Sequence, residues 1–157
     1  MLRNVTTVFA ALLIAVAPSA RAQSSRLSFD VASIQLSDNQ SVGEVGTIYT
    51  VPGGRFAATS VLMRVLIFNA YDLKEPDQLI GGPDWMNTTR WNIEAQAAGN
   101  PDRGAVMRML RSLLEDRFKL KVHWEMQELP AASLKLESAR GPVEVLVIDS
   151  VSKPSEN

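Results

Sequence analysis

His123 is the only histidine in a sequence that contains no cysteine, so few side chains could do acid–base or metal chemistry at neutral pH. It stands between Lys121 and Glu125 in a run of alternating apolar and polar residues, which places it on the polar face of a strand. A general base needs a positioned partner and a cleft, and the pattern around His123 indicates neither. The sequence predicts a solvent-facing structural role for it.

The other motifs that could carry chemistry favour structural roles. Asp149 follows an apolar strand and is predicted to begin an exit loop rather than to act as a catalytic carboxylate. No Gly-x-Ser-x-Gly segment marks a nucleophile, and the carboxylates do not cluster at the spacing of zinc ligands. The pairs Gly53-Gly54 and Gly81-Gly82 do not fit a phosphate loop and are predicted to be turns with positive φ. We expect no catalytic residue, no cofactor and no metal.

Trp85 is the best candidate for a binding surface. It follows the Gly81–Asp84 turn and lies on no periodic face, so it either covers the edge of the core or anchors a partner as an exposed aromatic. With Arg55 and Tyr71 it forms the candidate partner-binding surface of this sequence.

The elements that position these residues follow from hydrophobic periodicity. Alternation predicts half-buried strands at Phe29–Ile34 and Thr47–Val51. A strand–helix–strand unit is then predicted at Arg55–Thr59, Val61–Tyr71 and Gln78–Ile80. Ser60 is the predicted N-cap of its helix.

A second unit of the same plan is predicted at Arg90–Ala97, Asp102–Arg117 and Lys119–Met126. Asn100 is the expected N-cap of its helix and Pro101 the first helical residue. The helix carries a one-sided apolar stripe: Val106, Met109, Leu110, Leu113 and Leu114. Arg111, on the other side, is expected to contribute little to stability. Four residues of the following strand are predicted to point inward: Leu120, Val122, Trp124 and Met126.

The segment Pro142–Val151 contains the apolar run Val145–Ile148, which predicts a strand in the middle of a sheet. The predicted fold class is α+β, with two strand–helix–strand units and a C-terminal strand in a mixed sheet covered by helices. An open edge at Val145–Ile148 would be a template for pairing between chains, so we expect either a marginally stable monomer or a homodimer through an open sheet edge.

The N-terminal segment has the three parts of a secretory signal. Arg3 supplies a positive start, Val8–Ala17 is an apolar run of ten residues, and Ala20-Arg21-Ala22 is a small-x-small cleavage site. We expect a signal peptide at 1–22, cleavage between Ala22 and Gln23, and a single domain at 23–157 without a membrane span. That domain is predicted to be periplasmic or secreted.

Removal of Arg3 and Arg21 changes the formal charge from −1 to −3. A weakly acidic domain has no electrostatic footprint for nucleic acid. Without cysteine it has no disulfide framework and must be held together by its hydrophobic core.

Several phrases occur in order over most of the predicted domain: Phe29–Ile34, Gly53–Phe56, Gly81–Trp85, Leu114–His123 and Gly141–Asp149, with the ending Lys153–Asn157. In these phrases the chain resembles an uncharacterised soil-associated family of bacterial proteins. The resemblance implies export and, because some members carry the domain beside a membrane metallopeptidase of the sensor type, a sensing or partner-binding role. It supplies no catalytic residues. After Glu128-Leu129-Pro130 the chain departs from the family pattern and resembles an internally shortened member.

Two functional hypotheses follow. The first is an exported, non-enzymatic binding or interaction module, part of an extracytoplasmic sensing system, with a protein or small-molecule partner outside the cytoplasm. The alternative is an extracytoplasmic hydrolase that uses a carboxylate with Ser or His123. A concave pocket with converging titratable groups would favour the enzyme.

Overall fold

The computed structural model describes residues 26–40, 46–128 and 142–154. In this part of the chain seven strands form two β-sheets, and two α-helices accompany them. The strands are β1 (Val31–Leu36), β2 (Thr47–Val51), β3 (Arg55–Leu62), β4 (Leu79–Gly81), β5 (Arg90–Gln96), β6 (Lys121–Gln127) and β7 (Val143–Ser150). The helices are α1 (Met63–Ala70) and α2 (Arg103–Arg117), with short 3-10 turns at Pro76–Gln78 and Asp84–Asn87. The predicted α+β class is confirmed.

The strands are divided between an antiparallel sheet of order β1-β5-β3-β2 and a mixed sheet of order β4-β7-β6. Each of the two predicted strand–helix–strand units starts in the first sheet and ends in the second, since β3 and β5 are neighbours while β4 and β6 flank β7. α1 packs against α2. The two units are therefore related in plan, and their helices join the two sheets.

The predicted signal peptide, with its cleavage site at Ala22 and Gln23, lies outside the described residues, as does the segment in which the chain resembles a shortened family member. Among the described residues, no helix combines the length and the apolar character needed to cross a bilayer.

Ser60 is not the N-cap of α1, contrary to the prediction. β3 continues to Leu62, because Val61 and Leu62 pair with β5 after a register shift that begins at Ala58. Ser60 lies within this bulge with φ 55°, and its N–H donates to Asn92 Oδ1 at 2.8 Å. Cross-strand pairing thus delays the helix to Met63, and the residue before it, Leu62, makes no side-chain cap.

The start of α2 also differs from the prediction. Asp102 is the N-cap, and its carboxylate accepts a hydrogen bond from Ala105 N at 2.6 Å. The Asn100 side chain instead accepts from the backbone N–H of Gly53 at 2.7 Å, which ties the β2–β3 turn to the start of the helix. That turn needs glycine as predicted, because Gly53 and Gly54 have φ values of 90° and 78°.

The apolar stripe of α2 is confirmed. Val106, Met109, Leu110, Leu113 and Leu114 are all buried, together with Met107. Leu110 and Leu114 are fully inaccessible, and they share the core with Leu66 and Ile67 of α1.

β6 lies where it is predicted, but two of its residues that were predicted to point inward are exposed. Leu120 is buried and Val122 half-buried, but Trp124 is 45% and Met126 59% exposed. α1 is only eight residues long, about 12 Å, whereas a seven-residue strand extends about 24 Å. Tyr71, just after α1, meets Trp124 edge to face at 6.5 Å between ring centroids, and the far half of β6 stays uncovered among the described residues.

β7 is the central strand of the mixed sheet, as its apolar sequence predicts. Val145 and Leu146 are fully buried. The expected open edge at Val145–Ile148 is wrong, because β6 pairs along one side and β4 pairs with Leu146–Ile148 on the other. The long outer edge of this sheet belongs to β6.

Truncation of the core on α2 tests this arrangement. Leu110 is fully buried, so Leu110→Ala should lower the free energy of unfolding by about 2–5 kcal/mol. Arg108→Ala, at an exposed position of the same helix, should change it by no more than about 0.5 kcal/mol. Urea unfolding followed by circular dichroism measures both, and equal losses would show that the helix is rotated from its described position.

Candidate functional site

Of the three residues predicted to form one surface, Arg55 and Trp85 lie apart. Arg55 is exposed at the start of β3 and faces Glu94 with 3.7 Å between Nη2 and Oε2. Trp85 contacts Trp91 at the other end of β5. Arg55 pairs with Gln96, five residues beyond Trp91, so about 17 Å of strand separates the two. The predicted surface is therefore not a single site.

Trp85 covers the edge of the core, the first of its two predicted roles. It is partly buried and packs edge to face on Trp91, with ring centroids 6.4 Å apart, and Trp91 packs in the same way on Phe118 at 5.1 Å. Lys153 Nζ lies 5.6 Å from the centroid of the Trp85 ring. These contacts stabilise the core rather than leave an aromatic side chain free for a partner.

The most distinctive concave feature lies between the end of α1 and the first half of α2. It has a volume of about 400 Å³. Its apolar lining consists of Phe68, Leu73 and Met107, and its charged lining of Asp72, Arg103, Arg108 and Arg111. We call this feature the arginine cleft.

Arg111 fixes one wall of the arginine cleft. Its Nε donates to the carbonyl oxygen of Ala70, the last residue of α1, at 2.6 Å, where a cation is favoured by the helix dipole. Its guanidinium carbon lies 4.6 Å from the centroid of the Tyr71 ring, within cation–π range. Arg111 therefore bridges the two helices, a contact that its position on the polar side of α2 does not indicate.

Arg103 and Arg108 complete the positive wall. Both are exposed, and the guanidinium group of neither forms a hydrogen bond or ion pair with another described residue. The one carboxylate in the lining, Asp72, is paired with Lys74 at 2.7 Å. The charge of these two guanidinium groups is thus left for solvent or a ligand.

The pKa of Asp72 is lowered by the cations around it. The hydrogen bond from Lys74, the charge of Lys74, and weaker effects of Arg103 and Arg111 hold the pKa of Asp72 below its ordinary value of 3.8. A carboxylate whose pKa is lower in the folded state stabilises the fold above its ordinary pKa, and that contribution is lost as the pH falls through the lowered value. Asp72 is therefore ionised at neutral pH.

Tyr71 remains a neutral phenol beside the arginine cleft. Partial burial raises the pKa of Tyr71 above its ordinary value of 10.0, and the nearby charge of Arg111 only partly opposes that rise. The phenol consequently does not neutralise the guanidinium it supports. It acts as a flat surface on which Arg111 is held.

His123 is on the exposed polar face of β6 as predicted, with its side chain 51% accessible. The structure adds a partner that the sequence pattern did not indicate. Asp149 Oδ1 lies 2.9 Å from His123 Nδ1, and Glu125 Oε2 lies 3.8 Å from Nε2. Asp149 belongs to β7 rather than to an exit loop, so its predicted position is corrected. Register between β6 and β7 brings the two side chains together.

The sequence contains a signal for the arginine cleft that lies outside any catalytic motif. At about 100° per residue, Arg103, Arg111 and Arg108 fall at about 0°, 80° and 140° around α2. Arg103 thus lies at the start of the apolar stripe, whereas Arg111 and Arg108 lie beside the stripe and indicate a positive helix face. The concavity itself depends on α1, which no local pattern places.

Sequence and geometry together define a small α+β domain with an arginine-lined cleft. Residues 64–134 match the model of a family described as a protein of unknown function, DUF3738. The matched segment runs from α1 through β6 and includes every residue that lines the arginine cleft. No curated protein and no solved structure matches the chain. The comparison supports an uncharacterised domain family and assigns no activity.

Substitution of His123 tests its surface role. Because the side chain is half exposed and its carboxylate partners are in water, His123→Gln should change the free energy of unfolding by no more than about 0.5 kcal/mol. Leu146→Ala, at a fully buried position on the adjacent strand, should cost about 2–5 kcal/mol in the same denaturant titration. A loss of that size for His123→Gln would assign the histidine to the structural core.

Proposed function

We propose that this chain is a non-enzymatic binding module that holds a small multivalent anion, with carboxylate or phosphate groups, in the arginine cleft. The observation that carries the proposal is the presence of Arg103, Arg108 and Arg111 around a cavity whose one carboxylate among the described residues, Asp72, already has a cationic partner. Guanidinium groups bind carboxylate and phosphate oxygens through paired hydrogen bonds.

The dimensions and electrostatics of the arginine cleft suit such a ligand. A volume of about 400 Å³ is within the range of small-molecule pockets. Phe68, Leu73 and Met107 offer an apolar lining for the carbon skeleton. Local positive charge on a chain of negative net charge would concentrate anions in the arginine cleft.

Isothermal titration calorimetry with citrate and with pyrophosphate tests the proposal. Binding tighter than about 1 mM is expected for at least one of them. Arg103→Gln/Arg108→Gln should weaken it at least about tenfold, because each charge-assisted hydrogen bond contributes about 1.5–3 kcal/mol.

The matched control removes the same charge elsewhere. Arg117→Gln/Lys121→Gln lowers the net charge by two at exposed positions outside the cleft and should leave the dissociation constant within about twofold. Equal weakening by both double variants would attribute binding to net charge and refute a specific cleft, as would the absence of measurable heat for both anions.

Export is part of the proposal. Arg3, the apolar run Val8–Ala17 and the site at Ala20–Ala22 support a signal peptide, and the binding module would then work in the periplasm or outside the cell. The soil-associated family and the extracytoplasmic sensing role that the resemblance implies are proposed on the same basis. A sensing domain needs a ligand site, which the arginine cleft would provide.

The N-terminus of the protein from its native host tests export. Cleavage after Ala22 should leave Gln23 as the first residue, because Ala20-Arg21-Ala22 is the small-x-small site that follows the apolar run. Edman sequencing or intact mass measures it. Recovery of Met1 on protein from the periplasmic fraction would contradict cleavage.

A hydrolase remains the second candidate, and one observation favours it. Asp149 lies 2.9 Å from His123 Nδ1, the arrangement by which a carboxylate orients a general base. The lining of the arginine cleft contains neither residue. The other ring nitrogen of His123 faces Glu125 rather than a nucleophile. The anion-binding module is therefore the better supported proposal.

A further inference from the structure

β6 presents the longest outer strand edge in the described part of the chain. It pairs with β7 along one side from Lys121 to Gln127. On its other side no described strand pairs with it. Alternate N–H and C=O groups along that edge have no strand partner in the described part of the chain.

The same strand exposes apolar side chains that water disfavours. Trp124 is 45% and Met126 59% exposed, and both lie on one face of β6 with Val122. An unpaired edge combined with exposed apolar area is the pattern of a strand that binds another strand.

We propose that β6 pairs antiparallel with β6 of a second copy about a two-fold axis at Trp124. In a symmetric antiparallel pair one residue faces its own equivalent, and Trp124 is the midpoint of the seven-residue strand Lys121–Gln127. This register uses the full length of the edge. It sets Trp124 against Trp124 and Val122 against Met126 on the apolar face.

The polar face of the strand is self-complementary in this register. His123 stands opposite Glu125 of the second copy, and by symmetry the contact occurs twice. Lys121 stands opposite Gln127, so no like charges face each other. Registers centred one residue away pair fewer residues.

The remaining edges differ from β6 in length and charge, although β1 and β2 also expose apolar side chains such as Val31 and Tyr49. β1 and β2 border the antiparallel sheet but are only six and five residues long and contain no charged residue. β4 has three residues. Pairing of any of them with its own copy would therefore be shorter and without charge complementarity. Among the described edges, β6 combines the greatest length, charged residues in a self-complementary order and exposed apolar side chains.

Sedimentation velocity of the purified protein tests the pairing, from about 1 to about 200 µM, the range expected for a small interface. A concentration-dependent dimer is expected. Trp124→Arg places two like charges on the axis and should raise the dissociation constant at least about tenfold. Tyr49→Arg is the matched control, since Tyr49 is the midpoint of edge strand β2 and is 44% exposed. Tyr49→Arg should leave the dissociation constant of the dimer within about twofold of its value for the unmodified protein.

The register is tested with two complementary variants, each checked for folding by circular dichroism. Glu125→Lys sets lysine against His123, and His123→Glu sets glutamate against Glu125, so each alone should weaken the dimer. An equimolar mixture of the two variants should form a heterodimer, because no charged residue on the polar face of one β6 then stands opposite a like charge on the other.

Three results would overturn the proposal. A monomer at all concentrations refutes self-association, including a monomer whose β6 amides are protected from hydrogen exchange by another part of the same chain. Loss of the dimer in Tyr49→Arg and not in Trp124→Arg assigns it to β2. A mixture that does not associate although the unmodified protein does refutes the register. None of these results bears on the arginine cleft, so the two proposals are tested separately.

Discussion

Packing of α1 against α2 is the contact on which the rest of the described structure depends. Each helix belongs to a unit that begins in the antiparallel sheet and ends in the mixed sheet, so their contact sets where one sheet lies relative to the other. Its apolar part is formed by fully buried side chains such as Leu66 and Leu110. Its polar rim is formed by Arg111, which donates to the last carbonyl of α1 and lies over Tyr71.

The arginine cleft is a consequence of the same contact. α1 ends before it can cover the arginines of α2, so Arg103 and Arg108 remain exposed and line a concavity. Like charges held close together repel one another. A bound anion would relieve that repulsion, which supports the proposed binding role, and a chain of negative net charge would concentrate anions where its charge is locally positive.

The exposed half of β6 has a related cause. Tyr71, just after α1, contacts Trp124, but in the described structure Met126 is exposed to solvent. Exposed apolar area and an edge without a described strand partner thus occur on the same strand. Tyr71 connects the two features, because it contacts Arg111 of the arginine cleft on one side and Trp124 on the other.

Periodicity in the sequence was sufficient for the α+β class, for the apolar stripe of α2 and for the central position of β7, because each depends on residues within one element. It was insufficient wherever a distant strand or helix competes with a local preference. Ser60 has the chemistry of an N-cap, yet pairing with β5 draws it into β3. Arg111 lies on the polar side of its helix, yet its side chain donates a hydrogen bond to the last residue of α1. The contact of His123 with Asp149 depends on the register between β6 and β7. A local pattern records what a residue can do, whereas only the tertiary structure decides which neighbour it meets.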